Sequence, residues 1–276
     1  MSKNMNIYEM VTDQIIEQLE SGTVPWRKPW KNGGAVSWKT QKAYRGINVM
    51  LLPEGEYATF KQITEAGGKV KKGEKSRIVV FWKWLEKEEN GEVEKIPMLR
   101  YYRVFEINTQ VEGLQSKRAA ESFEHDPIAK AEEIVHGYMN APTYKFERSG
   151  AWYKPFLDLV NVPPLKDFEK AEEFYCTFFH ELVHGTGHKS RLNREGITGT
   201  IKFGSEDYSK EELVAEMGAA MLCGISGIET ITIDNTAAYI QSWLRVLKDD
   251  KTMVVKAGAQ AQKAADYILG LKWDAE

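Results

Sequence analysis

Residues 178–188, FFHELVHGTGH, hold three of the chain's five histidines and a glutamate. On a helix, His180 and His184 stand four apart, so both imidazoles share one face about a turn apart and reach a single ion. Glu181 lies beside them, where its carboxylate can take a proton from a water without itself binding the ion; this is the HExxH pattern of metal-dependent hydrolysis. An open catalytic zinc site commonly takes three protein ligands, so one more is needed. His188 follows Gly185 and Gly187, beyond the expected helix end, and the HExxHxxGxxH spacing falls on Ser190. The remaining candidates are Glu212 and Glu216 in SKEELVAEMG, four apart, of which one can ligate while the other supports a ligand histidine. Glu212 has a competing local role, because Ser209 to Glu212 also reads as a capping box. Tyr208 is placed to donate a hydrogen bond to a developing oxyanion. Such a set performs metal-assisted amide hydrolysis, making the chain a zinc endopeptidase, with Mn2+ or Co2+ acceptable to the same ligands.

A second chemistry is spread through the first half. The net charge of -3 hides an excess of 13 basic over 4 acidic residues between positions 22 and 83, which also hold Trp26, Trp30, Trp38 and Trp82, with Trp84 just beyond. Cations interleaved with aromatic rings suit single-stranded nucleic acid, whose phosphates need charge and whose bases stack. The candidates are Trp26, Arg27, Lys28, Trp30 and Lys31 of the proline-bounded PWRKPW loop, Lys42, Tyr44 and Arg45, and the glycine-flanked cations Lys69, Lys71, Lys72 and Lys75. Trp82 and Trp84 alternate on a strand and are expected in the core.

These groups need elements to hold them. NIYEMVTDQIIEQLESG places Ile7, Met10, Val11, Ile15 and Leu19 at helical spacing. KSRIVVFWKW and MLRYYRVFEI are strand-like and flank KEENGEVEK, which predicts a hairpin. The metal motif ends a long helix with Asp167 as its expected N-cap, and FLDLVNV upstream reads either as an edge strand that can align an extended peptide or, at least as readily, as an ordinary strand. Further helices follow over SKEELVAEMGAAMLCGIS, NTAAYIQSWLRVLKDD and KAGAQAQKAADYILG. The fold class is α+β with two domains: 1–118 binding DNA, a polar linker at 119–127, and a mainly helical metallopeptidase domain with a small sheet over 128–276.

At 276 residues and 42% hydrophobic composition the chain can bury a core in each domain. No apolar run is long enough for a membrane span and the start lacks a signal-peptide core, so a cytoplasmic protein is expected. Cys176 and Cys223 are too few for a disulfide framework and are expected to be buried thiols.

LESGTVPWRKPW, AYRGINVMLL, TFKQITEAGGKVKKGEKS and VVFWKW resemble the N-terminal domain of the ArdC antirestriction family. HELVHGTGHKSRLNR, FGSEDYSKEELVAEMGAAMLC and YIQSWLRVLKDD resemble its C-terminal zincin domain. The E-x-x-A-E spacing is similar to the E-x-x-S-D helix of glutamate-ligand zincins, which implies Glu212 as ligand and Glu216 as support. The ArdC resemblance implies a single-stranded-DNA-binding domain joined to an SprT-like metalloprotease fold on plasmids or phages, protecting incoming DNA from restriction. It carries over His180, His184 and a glutamate of EELVAE as ligands and Glu181 as base. Two functions follow: a peptidase that cleaves a protein on or near DNA, or a DNA-binding protector whose metal is structural or vestigial.

Overall fold

Val11, Ile15, Ile16 and Leu19 recur every three or four residues and are buried along one side of helix α1 (Ile7–Glu20). The helix stops at Gly22, whose φ of 81° favours a residue without a Cβ. The computed structural model describes residues 6–27, 34–89, 92–117, 127–198, 206–228 and 237–271. The fold is α+β, in two units: Met1–Ile15 with Gly34–Glu121, and Ile16–Gly33 with Ser122–Glu276. The expected linker at 119–127 falls almost wholly outside the described residues.

In the first unit, β1 (Ala35–Ser37), α2 (Asn48–Leu51), β2 (Gly55–Thr59), α3 (Phe60–Glu65), β3 (Lys69–Val70), β4 (Arg77–Glu89), β5 (Glu92–Glu106), α4 (Ile107–Gln110) and β6 (Val111–Glu112) follow in order. The sheet order is β1-β2-β5-β4, with β1 parallel to β2 and the other pairs antiparallel; β3 pairs with β6 separately. The hairpin expected from KSRIVVFWKW and MLRYYRVFEI is the β4–β5 ribbon, in register from Arg77↔Val104 out to Glu89↔Glu92. Side-chain alternation gives the sheet two apolar faces. Ala35, Leu52, Tyr57, Val79 and Val104 cluster on one; Ala58 packs with Ile63, Ile107 and Val111 on the other. Thr59 and Gln62 close a capping box that starts α3 directly from β2.

In the second unit, α5 (Pro127–Gly137) precedes β7 (Thr143–Lys145), β8 (Trp152–Lys154) and β9 (Leu159–Asn161), ordered β7-β9-β8. FLDLVNV therefore supplies the central strand, not an edge: β9 pairs parallel with β7 and antiparallel with β8, so its backbone groups are taken on both sides. Helices α6 (Ala171–Thr186), α7 (Glu195–Thr198), α8 (Glu206–Ser226), α9 (Ala237–Asp249) and α10 (Met253–Ile268) complete the unit, with α8 packed against both α6 and α10. Asp167 is not the cap of α6. It lies in a 3-10 turn and accepts two hydrogen bonds from Arg148, at 2.7 and 2.8 Å, while Lys170 precedes the helix with no side-chain cap. Cys223 is buried on α8 and Cys176 half-buried on α6, with their sulfurs 3.0 Å apart. No helix among the described residues is long and apolar enough to cross a membrane.

The segment 16–33 belongs to the second unit, and this revises the reading of PWRKPW. Pro25–Arg27 forms a 3-10 turn against α8, and Trp26 is fully buried with its ring edge-on to Trp243, 5.8 Å between centroids and 84° between planes. A ring enclosed in this way has no face left for a base, so Trp26 is a core residue. Lys28, Trp30 and Lys31 lie outside the described residues, as does the side chain of Arg27.

Candidate metal centre

The site is built where α6 and α8 approach. Helical periodicity stacks His180 and His184 on the α6 side that faces α8, with their Nε2 atoms 3.1 Å apart. From α8, the Glu212 carboxylate reaches both: Oε2 lies 3.6 Å from His180 Nε2 and Oε1 3.5 Å from His184 Nε2. The three residues offer donor atoms that all lie within 4.8 Å of one another, the one such group among the described residues. Gly218, on α8, lets the helices come this close, since a Cβ there would sit 2.8 Å from a methyl of Val183, the residue before His184.

The capping-box alternative for Glu212 does not apply, because α8 begins at Glu206 and places Ser209 inside the helix. Glu216 lies one turn beyond Glu212 and contributes its charge to His180. Glu211 also touches a candidate ligand histidine, its Oε1 3.3 Å from His184 Nδ1. Arg194 holds Glu211 in a fork, Nε to Oε2 at 2.9 Å and Nη2 to Oε1 at 2.6 Å, and also donates to Thr186 Oγ1 and the Val183 carbonyl. Gly187 leaves room for this: a Cβ would come 3.0 Å from Arg194 Nη2 and 2.5 Å from Ile197. Burial alone would push the Glu211 carboxyl up, but the bonds from Arg194 and His184 bring it below the usual range, so it stays an anion. An anion at Nδ1 fixes the His184 ring and leaves Nε2 with its lone pair directed at the cluster.

Burial would lower the His180 pKa, but the carboxylates of Glu212, Glu216 and Glu181 raise it, so the pocket favours positive charge. Glu181 is buried, at 7% exposure, and that burial raises its carboxyl against the lowering effect of His184 and His180, as suits a proton acceptor working near neutral pH. Two imidazole nitrogens and one carboxylate, with an anion behind one imidazole, fit a divalent transition ion. His188, just past α6, turns its Nδ1 to Ser190 Oγ at 2.8 Å. Tyr208 lies in the first turn of α8, and its side chain is outside the described residues. Glu211→Gln keeps an oxygen for Arg194 but removes the charge behind His184; Mn(II) titration calorimetry is expected to show affinity weaker by about 10- to 100-fold with the fold retained.

Sequence reasoning missed Glu211 and Arg194. The adjacent pair Glu211-Glu212 was visible, but that both reach α6, Glu212 at the Nε2 atoms and Glu211 at His184 Nδ1, depends on how α8 packs there. Among the DNA candidates, Lys42, Arg45, Lys69, Lys72 and Lys75 are exposed on the first unit. The Lys71 ammonium donates to the Thr109 carbonyl at 2.7 Å, which occupies part of its hydrogen-bonding capacity. Tyr44 is half-buried, edge-on to Tyr57 at 6.4 Å, and burial pushes its phenol up to about 12, so its ring belongs to the core rather than to a stacking surface. Trp38 donates its indole N–H to the Gln115 carbonyl and lies under the Lys117 ammonium, 3.8 Å from the ring centroid.

Residues 129–260 match the zincin-like metallopeptidase family, and residues 5–105 match the N-terminal domain of anti-restriction factor ArdC. Curated relatives include a DNA primase TraC of Escherichia coli, 34% identical over 96% of this chain. This chain spans only 27% of that primase, and 20% of a second TraC from the same species at 32% identity. An uncharacterized protein of Sinorhizobium fredii, y4eC, is 31% identical over 98% of this chain and 94% of its own length. Among solved structures, the antirestriction protein ArdC of plasmid R388 is 35% identical. Its metal-free form superposes with a TM-score of 0.74 over 98% of this chain and all of that one, its Mn(II)-bound form with 0.75 over 96% and 98%.

Proposed function

The chain belongs to the ArdC antirestriction family, and from that membership we propose that it is a metal-dependent peptidase that acts on a protein held on or near single-stranded DNA. The observation that carries the peptidase half is the convergence of His180, His184 and Glu212 beside a buried Glu181. These three residues would hold a divalent ion, zinc or manganese, which when bound supplies Lewis acidity and lowers the pKa of a water. Glu181 takes the proton released as that water attacks a peptide carbonyl, and returns it to the leaving amine. Glu211 and Arg194 keep His184 turned so that its Nε2 faces the ion, and Gly218 keeps α8 near enough for Glu212 to share it. The exposed cations Lys42, Arg45, Lys69, Lys72 and Lys75 of the first unit would neutralise phosphates. The two forms of R388 ArdC superpose on this chain about equally well, which supports an ion that the fold does not require and weighs against a structural one.

Metal removal tests this reading. Chelation is expected to stop cleavage of an unfolded protein such as casein, and Mn(II) or Zn(II) to restore it. Glu212→Gln should lose bound metal while Glu216→Gln keeps it. Full metal content in the first and loss in the second would transfer the third ligand to Glu216.

A further inference from the structure

Trp26 and Tyr44 are turned into cores and Trp30 lies outside the described residues, but among the described residues the β4–β5 ribbon offers another stacking surface for a single strand. Its register puts Arg77, Val79, Phe81 and Lys83 of β4 on the same face as Met98, Arg100, Tyr102 and Val104 of β5. Val79 and Val104 anchor the inner end of this face in the core. One step outward the face leaves the core. Tyr102 is 55% exposed, and its ring lies parallel to the diagonal neighbour Phe81, 4.7 Å between centroids and 9° between planes. Arg77, Lys83 and Arg100 are exposed on the same side, Arg100 directly opposite Phe81.

Charge narrows the occupant. Residues 77–83 and 98–104 contain four basic and no acidic side chains, whereas 85–96 contain five glutamates against two lysines. A polyanion is therefore drawn to the inner ribbon and repelled from its outer part. An exposed Tyr102 stacked on a half-buried Phe81 among cations matches an unpaired base with its phosphates; a duplex keeps its base faces inside and offers only phosphates and groove edges.

We propose that this face of the β4–β5 ribbon is the base-stacking surface for single-stranded DNA, with Phe81 and Tyr102 as the platform and Arg77, Lys83 and Arg100 as the phosphate contacts. This rests on the reading that the chain binds single-stranded DNA. It assigns to the ribbon the stacking role that the enclosed Trp26 and Tyr44 do not fill.

The test is fluorescence anisotropy of the full chain with a labelled oligo(dT) of about 20 nucleotides across a salt series. Tyr102→Ala is expected to weaken binding about tenfold or more with the salt slope unchanged, since it removes stacking and no charge. Tyr102→Phe should bind like the parent. Arg100→Ala, at an exposed side chain that does not support the fold, should weaken binding and reduce the salt slope by about one. If the parent binds in a salt-dependent way while Tyr102→Ala, Phe81→Ala and Arg100→Ala all bind equally well, the ribbon assignment is wrong and the DNA-binding reading stands. If the parent does not bind oligo(dT), or binds duplex of the same length equally tightly, that reading fails and the ribbon assignment with it. A protein partner on this face would appear as that last outcome.

Discussion

Glu181→Gln is expected to lower kcat/KM for peptide cleavage by about 100-fold or more, with metal content and oligo(dT) affinity unchanged. Glutamine matches the size of the buried glutamate, so the packing between α6 and α8 persists, but the amide cannot accept the proton of the attacking water. His180, His184 and Glu212 all remain, so the metal stays. The variant thus separates holding an ion from using it. Cleavage at the parent rate would remove Glu181 from the mechanism. Loss of cleavage with full protection of incoming DNA in a transfer assay would show that protection comes from DNA binding alone.

Trp26→Ala is the second large effect, and its direction is opposite to that expected from the sequence. A loop tryptophan that stacked on bases would, when truncated, weaken DNA binding and leave the fold alone. Trp26 is instead enclosed against Trp243 within the peptidase unit. Its removal leaves a large cavity that costs about 3–5 kcal/mol, a fall on the order of 10 °C in the thermal midpoint of that unit. Metal retention on mild warming should fail early in the variant, while oligo(dT) affinity below the transition stays that of the parent. Differential scanning calorimetry with metal analysis decides it: an unchanged midpoint with weakened DNA binding would return Trp26 to the surface.

These two residues show where local reasoning suffices. Glu181 was legible because HExxH is a property of one helix, and a repeat of four residues fixes which side chains share a face. The same holds for α1 and for the β4–β5 hairpin, whereas Glu212 lies on a different helix from the histidines and was suggested by a resemblance in spacing. Trp26 was misread because its burial depends on Trp243, far along the chain, and a proline-bounded loop carries no local sign of what encloses it. Glu211 was missed because its partners, His184 on α6 and Arg194 just before α7, meet it only through tertiary packing. The central position of β9 depends on β7 and β8 pairing to either side, a long-range arrangement that the composition of FLDLVNV does not encode.

The assignment of residues 16–33 to the second unit also has a consequence in time. A ribosome adding ~5–20 residues per second makes Trp243 roughly 10 to 40 s after Trp26. Through that interval the sheet of residues 34–121 can form, while the tryptophan before it awaits α8 and Trp243, which enclose it in the finished fold. A nascent chain stalled ahead of α8 would lack both the helix that the Pro25–Arg27 turn packs on and the Trp243 ring that closes over Trp26.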